Sequence, residues 1–322
     1  MAVTRGRVIA GFAAVYVIWG STYLAIRFAI ETLPPFLMAG VRFLIAGALL
    51  FAWTRRSGGP PPSRRHWIGA AVVGALLLLG GNGAVVWAEQ SVPSGVAALM
   101  VAVVPCWMVL LDWVRPGGTR PTVRIGAGLI LGLAGMVLLV GPGALGSGER
   151  VDPLGAGALL FASLSWAAGS IYSRHTALPP RPLQATAMQM LAGGVLLLIV
   201  ALAAGEPARL DFAAISSRSV LATLYLIVFG SFVGYSAYVW LLRVSTPARV
   251  STYAYVNPLV AVLLGWGLAG EPLTRRMLIA AAVIVAGVAL ITVSGQKRAS
   301  ADESPARRRR HGGQLPDDVR VA

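Results

Sequence analysis

Apolar residues fill this chain in long runs that are separated by short polar stretches. The first run, from Val8 to Ile26, contains no charged residue. A helix that crosses the hydrocarbon core of a bilayer needs about 20 mostly apolar residues. Ten segments meet that requirement, at about 8–30, 35–53, 67–88, 94–114, 122–141, 153–173, 183–204, 219–242, 249–268 and 276–294. The pattern therefore predicts an all-α integral membrane protein with ten transmembrane helices.

The amino-acid composition agrees with that interpretation. Hydrophobic residues make up 57% of the chain and charged residues only 12%, whereas about 25% of the residues in a soluble domain are charged. Such a chain has too little polar surface to cover a water-soluble body. The single cysteine, Cys106, lies in an apolar run and cannot form a disulfide within the chain.

The distribution of basic residues predicts the orientation in the membrane. If the N-terminus is cytoplasmic, most of the 27 Lys and Arg residues fall in cytoplasmic loops or in the C-terminal tail, which contains "RRRRH" at 307–311. Cytoplasmic segments of membrane proteins are enriched in Lys and Arg. We therefore predict a multi-pass protein of the plasma or inner membrane with both termini inside. The polar segment 295–322 is predicted to be a disordered tail that is attracted to anionic lipid rather than to nucleic acid.

The two halves of the chain resemble each other. "GNGAVVW" at 81–87 matches "GYSAYVW" at 234–240, and "PCWMVLLDW" at 105–113 matches "PLVAVLLGW" at 258–266. Both pairs have the same offset of 153 residues, from Trp87 to Trp240 and from Pro105 to Pro258. A third pair, "GSTY" at 20–23 and "GSIY" at 169–172, links the first and sixth segments. The chain is therefore predicted to contain two related units, at 8–141 and 153–294.

Each predicted unit has five spans, which is an odd number. The second unit must then enter the membrane from the side opposite to the first. This arrangement is an inverted-topology repeat, which is common among secondary transporters and places their central binding site between the two halves.

Three longer stretches carry a resemblance to a known family. They are "WGSTYLAIRFAIE" at 19–31, "PPFLMAGVRFLIAGALL" at 34–50 and "VNPLVAVLLGWGLAGEPL" at 256–273. Together with the 5+5 arrangement, they resemble the EamA-type branch of the drug/metabolite transporter superfamily. The resemblance implies an exporter or permease for small metabolites, including amino acids and drug-like compounds. It also implies that spans 1–4 and 6–9 line a central cavity and that spans 5 and 10 pack at the periphery.

Arg42 is the most informative candidate for a functional site. It follows Pro34 and Pro35, which mark the outer start of the second span, by about seven residues, or roughly 10 Å of helix. An arginine at that depth is costly and usually faces a partner or a wet cavity. The alternative is a structural arginine that binds backbone carbonyls. The first interpretation favours substrates with a carboxylate or another anionic group.

A second group of charged residues is predicted at the outer ends of the spans. Arg27 follows an apolar run long enough to bring it near the outer interface, where its side chain can reach water. Glu31, one helical turn further on, would satisfy it. Glu89 closes the third span and is a candidate for proton coupling or for an ion pair with Arg27 or Arg42. The alternative for Glu89 is a carboxylate in water at the interface.

Aromatic and amide side chains occur in the spans that are expected to surround the cavity. Such residues can stack on a ligand or bind it by hydrogen bonds, although core packing and contacts between helices are the alternative for each of them. Together with Arg42, the predicted substrate-binding residues are Trp19, Tyr23, Asn82, Trp166, Tyr235, Tyr255 and Asn257.

Pro105 and Pro258 occupy equivalent positions in the fourth and ninth spans and are predicted to interrupt or kink them. In transporters, matched interruptions in the two halves indicate the central site. In the fifth span, Gly128 and Gly132 form a small-residue face that suits close helix packing, either within the chain or in a homodimer.

These patterns favour a secondary transporter that works by alternating access in a lipid bilayer. They predict no catalytic residues, no metal and no cofactor. The chain contains no Gly-x4-Gly-Lys-Ser/Thr motif for ATP, so coupling would occur by proton antiport through a peripheral carboxylate or would be replaced by facilitated diffusion. Two alternatives remain at this point: a membrane interaction or sensory protein without transport, and an integral membrane enzyme.

Overall fold

The computed structural model describes residues 4–58, 60–92, 94–146, 152–269 and 275–302, and this part of the chain is α-helical. We number the membrane helices α1 to α10 in chain order. Their bounds are α1 Arg5–Ala29, α2 Pro35–Arg56, α3 Arg64–Ala88, α4 in two pieces, Ser94–Val101 and Val104–Val114, α5 Val123–Gly146, α6 Pro153–Ser173, α7 Pro182–Ala203, α8 Ser217–Val244, α9 Tyr253–Ala269 and α10 Arg275–Asp302.

Six of these helices are long and apolar enough to cross a membrane within the described residues: α1, α2, α3, α6, α7 and α8. Shorter apolar helical segments occur in three of the other four spans, at Val104–Val114 in α4, Val123–Leu138 in α5 and Leu278–Ile291 in α10. The protein is therefore an all-helical, multi-pass membrane protein, as the hydrophobic pattern predicts.

Prolines and polar caps begin several of the helices. Pro35 lies in the first turn of α2, and Pro153 lies in the first turn of α6, where the Asp152 carboxylate accepts hydrogen bonds from the backbone N–H groups of Leu154 and Gly155. A proline fits the first turn of a helix because the N–H group that it lacks would have no partner within the helix. These caps place the helix starts close to the positions predicted from the sequence.

The packing of the helices follows a pseudo-twofold relation between the two halves. Helices α1 to α5 of the first half correspond, in order, to helices α6 to α10 of the second half. The relation pairs α2 with α7 and α5 with α10. It also exchanges equivalent contacts, because α1 packs on α8 and α9 while α6 packs on α3 and α4. Since each half has five helices, the arrangement is a 5+5 inverted-topology repeat.

Glycines allow close approach where equivalent helices cross. A Cβ atom added at Gly40 of α2 would lie 3.2 Å from the Gly194 carbonyl oxygen of α7, and one added at Gly194 would lie 3.1 Å from the Gly40 oxygen. In the α5–α10 contact, a Cβ atom at Gly128 would lie 2.8 Å from the Gly287 oxygen. The Gly128 face therefore packs within the chain, against α10.

Both third helices of the halves contain a π-helical segment at equivalent positions, Ala75–Gly83 in α3 and Leu226–Tyr235 in α8. In a π-helix the backbone hydrogen bonds span one more residue than in an α-helix, and such segments are frequent at functional sites. The matched motifs "GNG" and "GYS" lie at the ends of these segments. The repeat is therefore visible in an irregular backbone feature as well as in the sequence.

The prolines at equivalent positions have different effects on their helices. Pro105 lies in the first turn of the second piece of α4, after an interruption at residues 102 and 103, as predicted. Pro258 lies inside α9, which continues through it. The chain before α9 is instead interrupted at Ser251 and Thr252, between the short helix Pro247–Val250 and Tyr253. Pro258 therefore does not end its helix, and the predicted kink at this position stays a prediction.

The C-terminal segment begins differently from the prediction. Helix α10 continues to Asp302, although the sequence predicts that a disordered tail starts at residue 295. The basic run at 307–311 lies outside the described residues.

Candidate functional site

A partly open cavity with a volume of about 80 Å³ lies between the two halves of the repeat. Its wall comes from α1, α2, α3, α4 and α6 together with α8 and α9. No described residue of α7 lines it, in contrast to the expectation for the seventh span. No described residue of α5 or α10 does either, in agreement with their expected peripheral position.

Seven of the eight predicted substrate-binding residues line this cavity. They are Trp19, Tyr23, Arg42, Asn82, Trp166, Tyr235 and Asn257. Residues far apart in the sequence, such as Trp19 and Asn257, therefore share one wall because the inverted repeat brings both halves around the same space.

Arg42 is buried in this wall, with 4% of its surface exposed. Its Nε donates a hydrogen bond to the Ser231 hydroxyl oxygen on α8 at 2.8 Å, and its guanidinium lies over the Phe43 ring at 4.4 Å. Its Nη1 atom is buried and has no hydrogen-bond partner within the described structure. No acidic residue lies in the described wall, so a positive charge faces the cavity with spare hydrogen-bond donors.

An aromatic cluster forms one side of the cavity. The Trp19 ring lies 5.5 Å from that of Trp166, 4.9 Å from that of Tyr238 and 5.1 Å from that of Tyr253. The Trp166 Nε1 donates to the Tyr238 hydroxyl oxygen at 2.8 Å. The Trp19–Trp166 and Trp19–Tyr253 pairs meet edge to face, which is a favourable ring geometry. Trp19 and Trp166 come from α1 and α6, which are equivalent helices of the repeat.

The sequence prediction did not include Tyr238 and Tyr253 among the site residues. Tyr253 lines the cavity, while Tyr238 is fully buried behind it. The "GYSAYVW" motif places Tyr238 three residues after Tyr235, on the same helix face. That spacing was the available signal for Tyr238.

Glycines in the two π-helical segments make room for the two tryptophans. A Cβ atom at Gly234 of α8 would lie 2.6 Å from the Trp19 Nε1, and one at Gly81 of α3 would lie 2.7 Å from a ring carbon of Trp166. The two glycines correspond to each other in the repeat. Each half therefore uses a glycine in its third helix to accommodate the tryptophan from the first helix of the other half.

Amide and phenol groups add hydrogen-bonding capacity to the wall. The Tyr235 hydroxyl donates to Gln189 Oε1 on α7 at 2.9 Å. The buried Asn82 Oδ1 has no hydrogen-bond partner among the described residues. With its amide nitrogen turned toward them, Asn257 donates to the carbonyl oxygens of Tyr253 at 3.0 Å and Tyr16 at 3.3 Å. Asn82 is thus free to bind a ligand, whereas Asn257 also connects α9 to α1.

Tyr255 lies outside the cavity wall, in contrast to its prediction. Its hydroxyl donates to the Leu129 carbonyl oxygen of α5 at 3.3 Å, and its ring packs over Gly132. It belongs to a buried cluster with residues of α5 and α10, including Met136 and Ile284. Tyr253 and Tyr255 are two positions apart, so the two side chains point to different faces of α9.

The charged residues at the outer ends form contacts other than the predicted pair. Arg27 does not form an ion pair with Glu31 in the structure. Its Nη1 donates to the backbone oxygen of Glu89 at 3.1 Å. Glu31 lies 3.7 Å from Arg218 at the start of α8, in an exposed ion pair. The prediction of an Arg27–Glu31 pair is therefore wrong, because the outer end of α8 supplies a closer partner for Glu31.

Glu89 is fully buried, although the alternative prediction placed it in water. Its relative exposure is 0%, and neither carboxylate oxygen has a hydrogen-bond partner in the described structure. It lies one residue past the end of α3, and burial raises its pKa to about 8, while the charge of Arg27 lowers it. A buried carboxyl group without hydrogen bonds favours its neutral form.

The described residues contain no group of three or more His, Cys, Asp or Glu side chains that could hold a metal ion. Within that part of the chain, the groups available to a ligand are the guanidinium of Arg42, the neutral polar groups and the aromatic surface. These groups offer a positive charge, hydrogen bonds and apolar contact to a ligand.

Comparisons with known proteins agree with this architecture. The EamA-like transporter family matches the chain twice, at residues 7–141 and 153–293. The uncharacterized inner membrane transporter YedA of Escherichia coli K12 is 45% identical over 282 residues, which cover 87% of this chain and 89% of that protein. The uncharacterized transporter YvbV of Bacillus subtilis is 24% identical over 289 residues, covering 90% of this chain and 92% of its own length.

A solved crystal structure has the same fold. It superposes with a TM-score of 0.72 at 23% sequence identity and covers 90% of this chain and 99% of its own. The two family matches together span most of the sequence, each over one half of the inverted repeat. The chain therefore belongs to the EamA-like transporter family, in the drug/metabolite transporter superfamily, and is a multi-pass membrane transporter.

Proposed function

We propose that this protein is a secondary exporter of small metabolites that carry a carboxylate or another anionic group, such as amino acids. It resides in the plasma or inner membrane with both termini in the cytoplasm, an orientation that the concentration of Lys and Arg in the corresponding loops supports. It moves its substrate unchanged and works by alternating access, with the two halves moving around the central cavity.

The single observation that carries the proposal is the buried Arg42 in the cavity wall. Placing an arginine at the centre of a membrane helix costs about 3 kcal/mol on insertion scales. Its hydrogen bond to Ser231 uses one of its donors, and Nη1 remains without a partner in the described structure. A substrate carboxylate would neutralise this charge and accept hydrogen bonds from the free N–H groups, in the bidentate geometry that arginine favours.

The other residues of the wall support a solute with an apolar part. Trp19, Trp166 and Tyr253 offer aromatic surface, while Asn82 and the Tyr235 hydroxyl offer neutral polar groups. This combination of apolar surface and few polar groups is typical of small-molecule sites. It suits amino acids and related compounds better than inorganic ions, which would need more polar contacts.

Uptake into proteoliposomes tests the proposal. The purified full-length protein is reconstituted, and a mixture of radiolabelled amino acids is added with and without a pH gradient. The wild type should accumulate label that is recovered chemically unmodified, and Arg42→Ala should lower the rate by about 100-fold, since breaking a buried ion pair costs about 3 kcal/mol or more. Arg56→Ala, at the exposed end of the same helix, should transport like the wild type.

Two results would overturn parts of the proposal. Equal rates for Arg42→Ala and the wild type would remove the anion-binding role of Arg42. Recovery of a chemically altered solute would indicate an enzyme instead of a carrier. A size-exclusion profile for each variant establishes that a lost activity does not come from misfolding.

A further inference from the structure

Glu89 stands out as a buried acid that the proposed binding site does not use. It lies at the outer end of α3, where an interfacial carboxylate would normally point into water. Instead, it is 0% exposed, and both of its carboxylate oxygens lack hydrogen bonds in the described structure. The adjoining residues Ala88 and Val92 are fully buried in a cluster with Leu159 of α6. Burial without a hydrogen-bond partner disfavours an ionised carboxylate.

The position of Glu89 connects it to the cavity. Val85, one helical turn earlier on the same face of α3, lines the cavity, and so does Asn82, one turn before that. Glu89 therefore follows the cavity-lining positions of α3 along the helix, and it is not part of the described wall.

Arg27 connects the outer ends of α1 and α3 at the same level. It donates to the Glu89 backbone oxygen at 3.1 Å, and Ile26, the residue before it, lines the cavity. Arg27 is exposed to solvent. If the outer ends separate and water reaches Glu89, the arginine is available to stabilise the ionised carboxylate. The two charge states of Glu89 therefore favour two different arrangements of α1 and α3.

The other titratable and charged groups nearby do not form a hydrogen bond with the Glu89 carboxyl group in the described structure. Tyr23 of α1 is close enough to Glu89 for their charges to repel if both ionise. Asp152, at the start of α6, is held by the Ser91 hydroxyl at 3.0 Å and by two backbone N–H groups. Arg42 of α2 lies on the cavity wall and binds Ser231. Two of these groups, Arg27 and Arg42, are positively charged. Arg42 already donates a hydrogen bond to Ser231, so Arg27 is the cation available to the Glu89 carboxylate.

We propose that Glu89 is a proton-binding site whose occupancy controls access from the outer side to the cavity. With a proton on Glu89, the outer ends of α1 and α3 stay together, as in this structure. When Glu89 releases the proton to external water, its carboxylate moves toward solvent and Arg27, and the outer end opens. The proposal rests on the proposed function, since it takes the cavity as the transport path.

An accessibility experiment tests the link without any substrate. Cys106 is replaced by Ser, and a cysteine is introduced at Val85, on the cavity wall one turn from Glu89. The full-length protein in proteoliposomes is exposed to a membrane-impermeant maleimide from about pH 6 to about pH 9.5, on either side of the Glu89 pKa. Labelling should rise steeply, by about 10-fold or more beyond the increase seen in the same protein with Glu89→Gln.

The Glu89→Gln comparison cancels the pH dependence of the thiol itself, because both proteins carry the same cysteine. Glutamine imitates the protonated acid and cannot ionise, so this variant should stay closed to the reagent at every pH. Glu31→Gln is the matched control, since Glu31 is an exposed acid at the outer end of α1, and it should behave like the wild type. Equal pH profiles with and without Glu89→Gln would overturn the proposal.

Infrared difference spectroscopy supplies a second measurement on the same protein in nanodiscs. Between about pH 6 and about pH 9.5 the wild type should lose the carbonyl band of a protonated carboxylic acid, and Glu89→Gln should lack that change. Absence of the band in the wild type would also overturn the proposal. Neither experiment depends on transport. A negative result in the Arg42 uptake assay would therefore refute the substrate proposal alone, and the labelling and infrared results would still decide the Glu89 proposal.

Discussion

Replacing Gly234 by Ala tests whether the space left by this glycine keeps the Trp19 ring in its position in the cavity wall. The added methyl group would lie 2.6 Å from the Trp19 Nε1 and 3.0 Å from its Cδ1. Contacts between such atoms are favourable at about 3.5–4.0 Å, so the indole must move by roughly 1 Å. That movement would also weaken the hydrogen bond from Trp19 Nε1 to the Gly230 carbonyl oxygen, which is 3.2 Å long.

The expected loss of folding free energy combines two costs with one gain. Overpacking of this kind costs about 1–3 kcal/mol, and a weakened buried hydrogen bond adds about 1 kcal/mol. The better helix propensity of alanine offsets up to about 1 kcal/mol. We expect Gly234→Ala to destabilise the protein by about 1–3 kcal/mol and to lower the uptake rate, because the displaced Trp19 ring enters the cavity.

Thermal unfolding of the detergent-solubilised protein measures the stability effect. Gly157→Ala on α6 is the matched control, since nothing lies within 4 Å of a Cβ atom added there. The decisive comparison is Gly234→Ala in a Trp19→Leu background, where the smaller side chain leaves room for the methyl group. A coupling of about 1 kcal/mol or more between the two sites supports the reasoning. Equal costs in both backgrounds would refute it.

Two further predictions concern helix capping and the boundary of the site. Glu206→Gln should lower the free energy of unfolding by about 1 kcal/mol, because its carboxylate accepts hydrogen bonds from the backbone N–H groups of Phe36 and Leu37 at the start of α2; an unchanged melting temperature would contradict this. In the uptake assay, Tyr255→Phe should transport like the wild type, since that ring faces α5, whereas Tyr235→Phe should lower the rate several-fold by removing its hydrogen bond in the wall; the reverse ranking would contradict the assignment of the wall.

The architecture was largely predictable because its causes are local and repetitive. Apolar segment length determines which parts of the chain can cross a bilayer, and the common offset of the Trp87–Trp240 and Pro105–Pro258 pairs revealed the repeat. The depth of Arg42 followed from a rise of about 1.5 Å per residue after Pro35. Its position in a wall shared by both halves then followed from the inverted topology.

The failures occurred where the contact depends on a distant helix. Nothing near Glu31 in the sequence indicates that Arg218 of α8 lies beside it, so the i,i+4 neighbour Arg27 was the available partner. Tyr255 was misplaced because the apolar surface of α9 continues around the helix toward α5 and gives no strong face preference. Pro258 has the same sequence context as Pro105, but the helix around it tolerates the missing hydrogen bond.

The burial of Glu89 could not be predicted for a similar reason. A carboxylate at the end of a span is normally solvated, and its desolvation here depends on the packing of α2 and α6 against the end of α3. The π-helical segments were also not predicted, since the motifs "GNGAVVW" and "GYSAYVW" indicate a repeat but not its backbone hydrogen bonding. Both features lie next to the cavity, where local sequence rules are commonly overridden.

The central claim is that Arg42 binds the anionic group of the substrate in the cavity. The most direct test compares a transported amino acid with its carboxamide, which keeps the shape and lacks the carboxylate. The wild type should prefer the acid by about 100-fold in competition for uptake, and Arg42→Gln should reduce that preference to about 2-fold or less. An equal preference for the acid in the wild type and in Arg42→Gln would contradict the account.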